Sequence, residues 1–351
     1  MAEQKHTLGI VGFGGMGNWH RELVEKGIEN LSLAGVYDIK PERLAYAREL
    51  GYTGYESLEA LLADPAIDIV LVSTPNDVHR EIAIKAMRAG KNVVSEKPVT
   101  LCSADLQAMI DAAHETGKFF TVHQNRRWDE DYLTIRKIIA DGLLGDVFRL
   151  ESRVHGSRGI PGDWRQEKEH GGGMMLDWGV HIIDQMLLMI PEKISSVACT
   201  ITHVTNEEVD DGFYLTLTFE SGKTALLEVG TSNFVELPRW YVLGRDGTAV
   251  IEDWNLNGKI VRVKDWNKND AVPIRTAAGL TKTMAPRTDE TIATEPLPVV
   301  HSDIRDFYRN VMDVVEGKAE PKIRHEELQR VMRLMETAFC AAQENRVLPF
   351  E

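Results

Sequence analysis

The chain has 351 residues, 43% hydrophobic and 27% charged, and carries a formal net charge of −14. That length suits two domains with sizeable cores, and the apolar share excludes a disordered chain. The acidic balance argues against nucleic acid or an anionic membrane as partner, because both demand a basic face.

The opening MAEQKHTLGIVGFGG lacks a basic segment followed by a long apolar one. No later run reaches the ~18 uninterrupted apolar residues that span a bilayer, so a cytoplasmic protein is expected. Cys102, Cys199 and Cys340 lie far apart, odd in number and without C-x-x-C spacing. They read as reduced and structural, with no metal centre and no disulfide framework.

In chain order, apolar runs at residues 8–12, 33–37, 69–73, 92–95 and 119–123 alternate with helical patterns near 17–28, 41–50, 78–89 and 103–116. Strand, helix, strand at this spacing predicts an α/β protein that opens with a doubly wound, parallel Rossmann domain over residues 1–123. After a helical segment near 130–140 the pattern changes. Strands are expected at 147–155, 196–204, 212–219, 224–229, 240–243, 249–251 and 259–263, with Ser221-Gly222 and Asp246-Gly247 as hairpin signals. Residues 124–351 therefore form a second α/β domain with a largely antiparallel sheet. Two helices close the chain, near 301–316 and 325–344, the second with an apolar stripe at Leu328, Val331, Met335 and Phe339. Residues 265–298 show no period and read as a lid, an arm toward a neighbour, or a plain surface excursion.

Gly12-Phe13-Gly14-Gly15-Met16-Gly17 fits G-x-G-x-x-G directly after the first strand. The glycines permit the tight turn, the approach of a pyrophosphate and close helix packing, and the helix N-terminus offers N–H groups to the phosphates. Asp38 ends the second strand about 20 residues on, where a carboxylate accepts the adenosine ribose hydroxyls and disfavours a 2′-phosphate. NAD rather than NADP is the expected cofactor, although Lys40 and Arg43 stand near. The alternative is that Asp38 merely caps the helix opening at Pro41.

Two polar clusters, Ser73-Thr74-Pro75-Asn76-Asp77-Val78-His79 and Ser95-Glu96-Lys97-Pro98, fall at the same ligand-binding rim. The Lys97 ammonium is placed to bond a substrate hydroxyl; the alternative is a surface pair with Glu96. The Lys97–Pro98 bond is open to either cis or trans geometry. Further on, Gly171-Gly172-Gly173 precedes a helix whose apolar stripe runs alongside Asp177, His181 and Asp184. A carboxylate one turn before an imidazole can orient a hydroxyl and exchange its proton. A metal pair or a buried structural pair competes with that reading, and the triple glycine, which lets another body come close, favours a ligand nearby.

GFGGMG, STPNDVH, SEKP, HQNRRWD, GDWR and GGGMMLDWGVH together resemble the Gfo/Idh/MocA oxidoreductases over almost the whole chain, in particular the inositol and sugar (glycoside) dehydrogenase branch. The resemblance implies a second domain with an open, mostly antiparallel sheet that often forms the oligomer interface, hence a homo-oligomer, dimer or tetramer. It implies that Lys97, Asp177 and His181 are catalytic, the lysine and histidine sharing acid–base work and the aspartate orienting. It further places Thr74, Asn76, His79, Glu96, Lys97 and Asn125 around the nicotinamide ribose and amide, and Trp164 and Arg165 at the cofactor from the second domain. Substrate contacts are expected from Lys97, Arg126, His155, Trp164, Asp177 and His181, with Arg127, Trp128 and Arg158 as further pocket candidates. The expected reaction is hydride transfer between NAD and a secondary hydroxyl of a cyclic polyol, sugar or glycoside. A glycosidase using bound NAD for a transient oxidation, and an idle NAD- or sugar-binding sensor, are the competing functions. Residues 265–298 do not read like the compact ending of a simple inositol dehydrogenase, which points to a substrate larger than a free monosaccharide.

Overall fold

The computed structural model describes residues 5–351; the first four, part of the stretch read above for a leader, lie outside it. The first sheet contains β1 (His6–Val11), β2 (Leu31–Tyr37), β3 (Thr53–Gly54), β4 (Ile69–Val72), β5 (Asn92–Ser95) and β6 (Phe120–Val122). They are ordered β3-β2-β1-β4-β5-β6 and all run parallel. The linking helices are α1 (Gly15–Glu25), α2 (Pro41–Glu49), α3 (Leu58–Ala63), α4 (His79–Arg88) and α5 (Ser103–Thr116). All four residues of β4 are fully buried, the mark of a strand covered by helices on both faces. The short β3 and α3 escape the sequence pattern, because two strand residues and one and a half helical turns are too short to show a period.

The second half follows α6 (Glu130–Ala140) with β7 (Val147–His155), a π-helical turn at Met175–Gly179 leading into α7 (Val180–Met189), and β8 (Ile194–Thr202). Then come β9 (Gly212–Phe219), β10 (Thr224–Gly230), β11 (Trp240–Gly244), β12 (Gly247–Ile251) and β13 (Gly258–Val263). The small hairpin β14 (Ile274–Thr276) and β15 (Gly279–Thr281), the strand β16 (Ile292–Glu295), and helices α8 (Arg305–Val315) and α9 (His325–Glu344) complete the chain. The eight strands order as β16-β13-β12-β11-β7-β10-β9-β8. Only the β7–β10 pairing is parallel. In β9, Phe213, Leu215, Leu217 and Phe219 are buried while Tyr214 is 46% exposed, so one sheet face packs on helices and the other is open.

The region 265–298 holds elements the sequence pattern did not show: the exposed β14–β15 hairpin, and β16 pairing antiparallel with β13. The closing helices reach the first sheet's layer, since Glu336 of α9 accepts from the Ser103 N–H (2.6 Å) and hydroxyl (2.8 Å) at the start of α5. Among the described residues no helix is long and apolar enough to cross a membrane.

Candidate active site

The carboxyl ends of β1, β2, β4, β5 and β6 form one edge, the place where doubly wound sheets bind ligands. A Cβ on Gly12, whose φ is +91°, would lie 2.6 Å from the Ser73 carbonyl oxygen, and one on Gly17 would lie 2.2 Å from that of Gly12. Both positions therefore demand glycine. At Gly14 and Gly15 a Cβ would meet nothing within 4 Å, so open space lies over the start of α1. Gly14 caps that helix without any side-chain bond, which leaves its first N–H groups for an anion. Met16 is half-buried beside them.

Asp38 accepts the Phe13 N–H (2.6 Å) and the Lys40 N–H (2.8 Å), tying the end of β2 to the glycine turn. Lys40, with no side-chain bond, occupies the cap position of α2, so Asp38 is not that helix's cap. Thr74 Oγ1 after β4 and Asn125 Oδ1 after β6 are buried without hydrogen-bond partners. Buried polar atoms are rarely left unpaired, and these two acceptors along one edge fit the ribose and amide groups of a dinucleotide.

Lys97 follows β5, and its bond to Pro98 is cis. Its Nζ donates to Asp177 Oδ1 and to the Asp177 carbonyl, each at 3.0 Å. Arg165 Nε lies 3.3 Å from the other Asp177 oxygen and its guanidinium stacks 4.6 Å over Trp164. Burial pushes the Asp177 carboxyl up, but Lys97 and Arg165 more than offset this and hold it below the usual range. His181 is almost wholly buried, and burial, followed by the positive charges of Lys97 and Arg126, drives its pKa well below the ordinary value. It is therefore neutral at physiological pH, and its Nδ1 has no partner among the described residues. The sequence step predicted Asp177 and His181 as members of one regular helical row. The π turn at Met175–Gly179 widens that row; Asp177 faces Lys97 and Arg165, with no hydrogen bond to His181. Such turns are rare and concentrate at functional sites.

A cleft of about 490 Å³ opens beside Asp177, with Arg126, His155, Arg158, Trp178 and Trp254 among its walls, while Lys97, Trp164 and His181 stand outside that lining. Arg126 bonds Asp129 at 2.8 Å and stacks 4.2 Å from the Trp178 ring and 5.5 Å from that of Trp254. Its Nε is buried and unpartnered. His155 sits at the wall with both nitrogens engaged, one with Glu228 (3.0 Å) and one accepting the Leu237 N–H (3.2 Å). No residue of 265–298 belongs to these walls.

Other expected site residues are placed inside the protein. Glu96 is 5% exposed; one oxygen accepts from His20 and His123, each at 2.8 Å, and the other from the Lys97 N–H at 3.1 Å. His79 is fully buried and holds three loop carbonyls, those of Thr74, Pro98 and Val99. The buried Asn76 donates to the Gly171 carbonyl at 3.0 Å. Arg127 is clamped by Asp184 (2.6 and 2.8 Å) and Glu327 (2.8 Å), so Asp184 and Arg127 brace the fold rather than the cleft. The glycine run also meets protein: Cβ atoms on Gly171, Gly172 and Gly173 would lie 2.2, 2.3 and 2.2 Å from Leu101, the Arg165 carbonyl and Asp210. The close body that the run admits is the chain itself. Sequence reasoning missed Trp178, Trp254 and Asp210; the aromatic neighbour of Asp177 was a usable signal, whereas the other two are distant in sequence.

The NAD-binding Rossmann model of this oxidoreductase family matches residues 6–124, and the GFO/IDH/MocA C-terminal domain matches residues 132–250. The chain belongs to the Gfo/Idh/MocA family. It is 48% identical to an NAD-binding protein from Listeria innocua, whose crystal structure superposes with a TM-score of 0.96 over 99% of this chain and 100% of that one. An NADP+-dependent scyllo-inositol 2-dehydrogenase of Bacillus subtilis is 31% identical over 84% of this chain and 82% of its own. A 2,7-anhydro-N-acetylneuraminate hydratase of Escherichia coli is 31% identical over 70% of this chain and 67% of its own. As a Gfo/Idh/MocA member the protein is an NAD(P)-binding oxidoreductase.

Proposed function

We propose that the protein is an NAD-dependent dehydrogenase that oxidises a secondary hydroxyl of a cyclic polyol, sugar or glycoside to a ketone, giving an inosose or keto-sugar. Residues 1–123 hold the cofactor, and residues 124–351 hold the substrate and pair with further copies through the open sheet face. The observation that carries the reading is a neutral, unpartnered His181 beside the Lys97–Asp177 pair at the cofactor edge. When bound, the nicotinamide supplies the hydride acceptor. His181 takes the hydroxyl proton as the C–H bond breaks, Lys97 donates a hydrogen bond to the same oxygen, and Asp177 keeps Lys97 directed. Trp178 and Trp254 offer flat apolar faces and Arg126 a donor to a hydroxyl-rich ring. The named activity of the Bacillus subtilis relative supports an inositol-like alcohol, though with NADP+, and the Listeria innocua protein, named for binding NAD, supports NAD. Asp38, which would repel a 2′-phosphate, favours NAD over NADP.

A second reading, transient oxidation followed by elimination or hydration and return of the hydride, gains support from the hydratase among the relatives. One experiment separates them. Cyclitols, free sugars and glycosides are incubated with NAD or NADP, and both reduced cofactor and product structure are followed. A keto product with equimolar NADH supports the dehydrogenase; product without NADH supports the second reading; no turnover by any compound overturns both.

A further inference from the structure

Asp210 lies two residues before β9, 5% exposed and not itself among the cleft walls. Its Oδ2 accepts the Met175 N–H at 2.6 Å, and its carbonyl accepts the Met174 N–H at 2.9 Å. Met175 opens the π turn that carries Asp177, and the residue before it offers no side-chain cap. The first N–H groups of a helix have no partner within it, so here the acceptor arrives from 35 residues away. Gly173, at φ +99°, makes the approach possible, since a Cβ there would lie 2.2 Å from the Asp210 carboxylate.

We propose that Asp210 is a positioning residue, whose carboxylate fixes the first turn of the Asp177–His181 helix and thereby the aim of both side chains toward Lys97. The role rests on the catalytic reading above but reaches the chemistry only through the backbone of Met174 and Met175. An ionised acceptor holds an N–H about twice as strongly as a neutral one. Burial pushes the Asp210 carboxyl up to about 7, a rise limited by the Met175 and Met174 amides and by His203 beyond β8. Cys199 of β8 also faces it, and the neighbouring Asp211 turns away to Thr202 and Thr205. The grip on the turn therefore tightens as the pH rises through neutrality. Because the folded carboxyl binds its proton more tightly than the unfolded one, Asp210 costs stability as the pH rises from the ordinary 3.8 toward about 7.

The test uses the full chain as D210N and D210A, each also with W178F to isolate the emission of Trp178 inside the turn. Without substrate, Trp178 emission in the parent should titrate with a midpoint near neutrality, and that transition should vanish in D210N. With a substrate from the panel, D210N should hold turnover about fivefold below the parent at pH 8 and match it at pH 6, with NAD affinity unchanged. The melting temperature of D210N relative to the parent should rise from pH 5 to pH 8. An unaltered titration in D210N, or full turnover in D210A, overturns the proposal. Should no panel compound react, the dehydrogenase reading fails while the emission titration still decides Asp210.

Discussion

Glu96 and Lys97 are neighbours in sequence, yet they face two differently finished regions. On the Glu96 side, His20, His123 and Tyr308 form a buried, largely paired set, in which His123 Nε2 alone is left without a partner. His20 donates from Nε2 to Glu96 and accepts the Tyr308 hydroxyl at Nδ1, both at 2.8 Å, with Phe307 and Trp19 packed around the rings. On the Lys97 side, His181 Nδ1 and Arg126 Nε have no partner, and Thr74 and Asn125 leave oxygens unpaired at the same rim. The Glu96 carboxylate has both oxygens engaged and its surroundings are mostly paired, whereas the Lys97 rim gathers several groups with unused hydrogen-bonding capacity, as a ligand site requires.

Four measurements sharpen or break that division. The largest effect should come from Lys97→Met, which removes a donor from the open side: turnover should fall by about a thousandfold while NAD affinity, read by titration, stays the same. Parent-like turnover in that variant ends the catalytic role of Lys97. Next is acid sensitivity of the Glu96 side. Burial first, and then His123, hold the His20 pKa at about 4 against an ordinary 6.5, with Glu96 opposing. The unfolded chain takes up a proton that the folded chain refuses, so stability is full above pH 6.5 and is lost as the pH falls toward 4, by about 3 kcal/mol. Urea unfolding across that window should show the slope, and His20→Gln should flatten it; an equal slope in the variant places the loss elsewhere. Glu96→Gln should destabilise by about 2 kcal/mol, because the charged acceptor of two imidazoles is lost. Its unfolding midpoint should drop, and an unchanged midpoint contradicts the framing role. The smallest effect is expected from Asp38→Ser, which should narrow the preference for NAD over NADP by about tenfold, equivalent to ~1.4 kcal/mol, in comparative cofactor kinetics.

How much of this was legible in the sequence follows the same division. The parallel sheet and the glycine turn announce themselves through local spacing, and β5, β7 and β9 begin and end at the expected residues. Lys97, Asp177 and His181 each stand in a short motif that can be read locally, and the structure brings Lys97 and Asp177 within 3.0 Å. What could not be read depends on partners far along the chain. Arg127 meets Glu327 across 200 residues, His20 meets Tyr308 across 288, and neither pairing leaves a periodic trace. The π turn was hidden for another reason: its first N–H is bonded by Asp210 from outside the helix, and spacing within the helix suggested a regular row. The glycine run was seen but attributed to a ligand, because an alphabetical pattern does not distinguish close approach by a guest from close approach by the chain's own loops.

The excursion between β13 and β16 leaves and re-enters the sheet at hydrogen-bonded neighbours, Val263 opposite Ile292. Asp270 fastens its base by accepting from the hydroxyls of Thr288 (2.7 Å) and Thr291 (2.6 Å). With its ends already held together by the sheet, its length is almost free energetically: doubling a flexible loop adds only about 0.6 kcal/mol of closure entropy. The edge of the sheet is thus a natural grafting point, where segments can be lengthened, trimmed or exchanged between lineages without disturbing the strands that carry the cleft.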